Sequence, residues 1–145
     1  MKRVLATAAA AVTALGVMAV PAEAASPVQI YRVYFDSPGK DTRSNASLNG
    51  EWVQLYNATS TARQLKGVKL RDKTGYTYTF GTFTLGARKS VYIHTGKGSN
   101  SATHRYWGGT GYVWNNTGDS AYLLYPSGKT ADSCSWTSAG SSKYC

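Results

Sequence analysis

Acidic residues are scarce in this chain. Seven Asp and Glu stand against 16 Lys and Arg, a formal net charge of +9. A surface with so few acids carries a field of one sign and attracts polyanions. Cysteine is almost absent: Cys134 and Cys145 fit no CxxC metal or redox spacing. Histidine is limited to His94 and His104, which match no helical ligand spacing and have no Cys or acidic residue beside them, so a zinc site is not expected. No segment keeps a 3.6-residue apolar period for three turns, so no amphipathic helix is expected. Beyond residue 24 no long apolar run occurs, and nothing in the mature chain is expected to insert in a membrane.

The one long apolar run is N-terminal. Lys2-Arg3, the Ala-rich stretch Val4–Val20 and the small-x-small tripeptide Ala22-Glu23-Ala24 form a secretory signal peptide over residues 1–24. The cationic pair is not Arg-Arg, which favours the general Sec-type route over twin-arginine export. Cleavage would take Lys2, Arg3 and Glu23 and leave 14 basic against 6 acidic residues in a secreted, extracellular protein. In that oxidising setting Cys134 and Cys145 pair most simply with each other, stapling the tail 137–145. The loop so closed is short, and its entropy limits the gain to about 3 kcal/mol.

What is present is a β pattern. Val28–Phe35 reads as a first strand whose apolar phase shifts near Tyr31, which points to a bulge or to burial on both faces. Asp36–Gly50 reads as a polar loop. In Glu51–Asn57, Val53 and Leu55 face one way and Trp52, Gln54 and Tyr56 the other. Val68–Arg71 and Tyr76–Phe80 flank the turn Asp72-Lys73-Thr74-Gly75. Ser90–Thr95 is another strand, and Ser120–Tyr125 and Ala131–Ser135 flank Pro126-Ser127-Gly128-Lys129. Seven or eight short strands without an internal repeat predict one all-β domain, an antiparallel two-sheet β-sandwich.

These segments carry a family resemblance. Glu51-Trp52-Val53-Gln54-Leu55-Tyr56-Asn57, then Leu65-Lys66-Gly67-Val68-Lys69-Leu70, then Ser90–Gly96, Trp107, Trp114-Asn115 and Gly118–Leu123 follow the order and spacing of the lamin tail domain. Residues 28–136 therefore resemble this immunoglobulin-like module, and in particular its secreted bacterial branch. The resemblance implies a monomeric, non-catalytic module of adhesion or accessory binding, with a protein or nucleic acid as partner. Two positions depart from the pattern. Val68 stands where Trp is frequent, so the core there needs a different filling. Arg88 stands where Gly is usual, and because Arg disfavours positive φ, a shifted turn register is expected.

Several candidate sites follow from the residues themselves. Arg63, Lys66, Lys69, Arg71 and Lys73, with Arg88 and Lys89 in a later turn, form the candidate polyanion surface. Lys69, Arg71 and Lys73 share a period of two and so one face. Nucleic acid and anionic cell-wall polymer are the partner classes this charge fits. A structural envelope protein and an extracellular hydrolase are the competing readings. Asp36, Asp41 and Glu51 bracket a loop rich in further oxygens and form a candidate Ca²⁺ set. The alternative has Asp36 and Asn49 capping turns and Glu51 pairing with a cation across the sheet. No other cofactor is expected. Gly118-Asp119-Ser120 reads as a turn into a strand, since a nucleophilic Ser needs a base in reach. Gly96-Lys97-Gly98-Ser99 lacks the upstream Gly and the following helix of a phosphate loop.

Overall fold

In a computed structural model the structure describes residues 26–145, together with Ala10, Ala11 and Gly16. The expected signal peptide otherwise lies outside the described residues. Among the described residues, no helix is long and apolar enough to cross a membrane.

β1 (Val28–Tyr34) pairs with β2 (Trp52–Asn57), and the register slips between Ile30 and Arg32. That bulge is the phase shift read at Tyr31: Val28 and Ile30 point into the core before it, Val33 and Phe35 after it. β2 continues to β7 (Ser90–His94), which pairs in parallel with β8 (His104–Tyr106). On the far edge, β11 (Ser142–Tyr144) completes a sheet of order β11-β1-β2-β7-β8. The second sheet has the order β10-β9-β4-β5, from β10 (Thr130–Thr137), β9 (Gly118–Leu124), β4 (Lys69–Arg71) and β5 (Thr77–Thr79). A two-stranded ribbon joins β3 (Arg63–Gln64) to β6 (Thr84–Leu85).

Alternation explains the core. Val53, Leu55, Val91 and Ile93 from the five-stranded sheet meet Leu70, Ala121 and Leu123 from the other, all at most 1% exposed. Burial on this scale is the main stabilising term. Trp136 stacks on Phe35 at 5.1 Å and Trp114 packs edge-on against Trp136 at 5.8 Å, closing one end. Val68 does leave space: it lines an apolar cleft of about 160 Å³ with Val28, Leu65, Leu123 and Ala131.

Three expectations need correction. The polar loop Asp36–Gly50 contains a short helix, α1 (Asn45–Asn49). Ser44 caps it, its Oγ accepting from the Ser47 N–H at 3.1 Å, and Leu48 anchors it in the interior. The tail is not merely stapled, because its last strand joins the sheet. The turn after Leu85 keeps its register, and Arg88 itself adopts φ 59°. Backbone bonds hold it there: the Arg88 N–H donates to Thr59 O and the Lys89 N–H to Gly86 O, both at 3.2 Å. The Arg88 guanidinium also donates to Ala58 O. A left-handed non-Gly residue costs about 1–2 kcal/mol, part of which those bonds offset. Arg88→Gly is therefore expected to raise stability by up to about 1 kcal/mol in urea denaturation. A lowered midpoint would show that the side-chain contact outweighs the strain.

Candidate functional site

Strand geometry divides the expected cationic face in two. Lys69 and Arg71 lie on the outer face of β4, with Leu70 buried between them. Pairing ends at Arg71, so Lys73 sits in the hairpin turn rather than on the face. There the Asp72 carboxylate accepts from the N–H groups of Thr74, Gly75 and Tyr76 at 2.8–3.0 Å and fixes the loop. Arg71 lays its guanidinium 5.5 Å from the Tyr122 ring on neighbouring β9. The second group, Arg63, Arg88 and Lys89, surrounds the turn after β2. Arg63 Nε donates to Thr59 Oγ1 at 3.4 Å, and the Asn57 N–H donates to Lys89 O at 3.0 Å.

The acids behave oppositely. Among the described residues, Asp72, Asp119 and Glu51 are buried, Asp36 and Asp132 are half-buried, and only Asp41 is exposed. Each takes hydrogen bonds from neutral donors. Asp119 accepts from the Asn115 and Ser120 N–H groups, and Asp132 from those of Ile30 and Ser133. Asn116 Nδ2 donates to Asp36 Oδ1 at 3.0 Å and to Asp41 Oδ2 at 3.4 Å. Meanwhile Lys40, Arg43, Lys66, Lys73, Arg88, Lys89, Lys97, Lys129 and Lys143 are all exposed. The surface is thus more one-signed than composition alone implies.

The expected Ca²⁺ set is not assembled. Asp36 and Asp41 converge on Asn116, whereas Glu51 turns inward. Among the described residues, no three His, Cys, Asp or Glu side chains gather around a metal-sized space. Nor does Glu51 pair with a cation. Its Oε1 accepts from Thr95 Oγ1 at 2.6 Å, Val113 N–H at 2.8 Å and Trp114 N–H at 3.2 Å, while Oε2 has no partner. Burial pushes its pKa up to about 7, against the pull of those three donors and with a further push from the Asp41 charge.

Sheet pairing also unites the two histidines that the sequence left apart. The parallel register of β7 and β8 puts His94 Nε2 2.9 Å from His104 Nδ1. His94 Nδ1 lies 2.9 Å from Asn49 O, just past α1. Burial holds the His94 pKa below its ordinary value, helped by the neighbouring imidazole and opposed by the Asn49 carbonyl. Around the pair, Tyr34, Trp52, Tyr92 and His104 run across the sheet in ring contacts of 5.2–5.6 Å. These rings pack on one another as cross-strand pairs that stabilise the sheet. Ser120 bonds Ser135 Oγ at 2.7 Å, and Gly118-Asp119, expected as the turn into the strand, are the first two residues of β9 itself.

The profile of the Lamin Tail Domain family matches residues 21–138. The chain belongs to that family. Its two-sheet, immunoglobulin-like sandwich is the architecture the resemblance implied, and lamin tail domains are generally non-catalytic modules. No curated protein matches the chain. Cys134 of this lamin tail domain forms a disulfide with Cys145, beyond the matched span. What sequence reasoning missed is the His94–His104 contact and the burial of Glu51. The first depends on a three-residue strand with no alternation to betray it. The second depends on loop 107–114 folding back over the start of β2.

Proposed function

We propose that this lamin tail domain is a secreted, monomeric binding module with no catalytic activity of its own, adhering to anionic polymers outside the cell. Nucleic acid and anionic wall polymer are the ligand classes. The observation that carries this reading is the asymmetry of charge: the carboxylates are drawn into neutral hydrogen bonds while most of the described cations remain exposed. Lys69 and Arg71 lie on the outer face of β4, Lys66 and Lys73 stand exposed before and after that strand, and Arg63, Arg88 and Lys89 surround the turn after β2. A polymer engages such dispersed charges more effectively than a small anion does, because each neutralised phosphate releases counterions.

Mature protein is expected to be retained on heparin and DNA columns at low ionic strength and to elute with moderate salt. Lys66→Glu/Lys73→Glu, both at exposed turn positions, is expected to elute earlier on each column without a change in melting temperature. Absence of retention at low salt would reject the reading. Wall association that salt does not reverse would favour a structural envelope role instead.

A further inference from the structure

We propose that His94 and His104 form a binding site for a divalent copper ion, with water completing the coordination. Neutral imidazole is a good ligand for this ion, and the pair is arranged to offer two. His94 Nδ1–H donates to Asn49 O, which leaves the lone pair on Nε2 and fixes the ring. A ligating imidazole is commonly oriented in this way by a carbonyl on its far nitrogen. His104 Nδ1 faces that lone pair at 2.9 Å. Tyr106 stacks on His94 at 5.1 Å and Tyr92 on His104 at 5.6 Å, so both rings are braced. His104 is exposed, which gives the ion a path and room for water.

Loading replaces the hydrogen bond between the two rings: a small turn of the exposed His104 ring brings both nitrogens to face one ion. Two imidazole nitrogens with water suit a tetragonal ion such as Cu²⁺. The general affinity order also places Cu²⁺ above Ni²⁺ and Zn²⁺. In the metal-free protein the His104 Nδ1–H donates to His94 Nε2. On loading, that proton leaves Nδ1 and another is taken from water at Nε2, so both rings stay neutral and no net proton is released. The site lies on the opposite sheet from Lys69 and Arg71 and stands independently of the polyanion reading.

The test is titration of mature protein, its amino terminus blocked, with Cu²⁺ and with Zn²⁺, followed by visible absorption and electron paramagnetic resonance. Expected are one equivalent of Cu²⁺ per chain, hyperfine structure from two imidazole nitrogens, and Zn²⁺ binding weaker by roughly tenfold or more. His104→Ala, at an exposed position, should keep the fold by circular dichroism and lose the two-nitrogen signal. His94→Gln should lose it as well. Equal copper binding by wild type and His104→Ala, a spectrum without imidazole nitrogen, or Zn²⁺ binding as tight as Cu²⁺ would overturn the proposal. A hydrogen-bonded histidine pair that takes up no metal would overturn it too.

Discussion

Removing the disulfide with Cys134→Ala/Cys145→Ser is expected to cost about 2–3 kcal/mol and to lower the melting temperature by roughly 10 °C. The bridge spans a sequence separation of 11, so loop entropy sets that scale. Its position makes the loss structural as well. Cys134 is buried in β10 of one sheet, and Cys145 follows β11 of the other, so a single covalent link ties both sheets at their edge. β11 has little else to hold it. Ser141 O accepts from the Phe35 and Asp36 N–H groups, the Cys145 N–H donates to Tyr31 O, and Arg32 reaches Ser142 Oγ while lying 4.4 Å from the Tyr144 ring. A three-residue edge strand with few contacts opens locally at low cost. Without the bridge, the amide at position 145, bonded to Tyr31 O, and the Phe35 amide, bonded to Ser141 O, should lose hydrogen-exchange protection before the core strands do. Unfolding midpoints that are unchanged between the oxidised protein and the variant would show the link to be energetically idle.

The second large effect is a pH dependence carried by Glu51. Its folded pKa of about 7 lies above the ordinary value of 4.5. The folded state therefore holds an extra proton between those limits, and the stability this provides is present in full at low pH and is lost as pH rises to about 7. Above that, a charge sits in the interior with one oxygen unpartnered. The shift corresponds to roughly 3 kcal/mol. Glu51→Gln keeps a carbonyl oxygen for the Thr95, Val113 and Trp114 donors and carries no charge. The stability of Glu51→Gln relative to wild type should thus climb by about 3 kcal/mol between pH 4.5 and pH 8. His94, with its pKa held down, acts in the opposite sense and costs stability as pH falls through 6.5, but it is common to both proteins and cancels. A difference that stays flat with pH in parallel urea titrations would place the Glu51 carboxyl in contact with water.

Long alternating segments were legible in the sequence. Trp52–Asn57 showed its two faces directly, and the phase slip at Tyr31 marked a bulge because one inserted residue moves every later side chain to the other face. Both hairpin turns showed through their Asp, Gly and Pro content. Short elements did not show. His104–Tyr106 is too brief to reveal a period, and parallel pairing over so short a connection runs against the usual need for a long crossover. Arg88 in a left-handed turn contradicts local preference and is held by its surroundings, so residue type misled there. Charge was legible as a total but not as a pattern. Nothing in the sequence shows that Asp72 and Asp119 curl back onto nearby backbone, that Asp132 reaches the Ile30 N–H of the other sheet, or that Glu51 faces inward from the start of a strand. Those placements make the surface of a moderately basic chain more cationic than its composition implies.

The binding reading meets its most direct test in the salt dependence of DNA affinity. Mature protein titrated into fluorescent duplex DNA across a range of salt concentrations should give a straight line of log K against log salt. Engagement of three or more phosphates predicts a slope of about −3 or steeper, reduced by roughly two in Lys66→Glu/Lys73→Glu. A slope near zero, or no binding at the lowest salt, would contradict it.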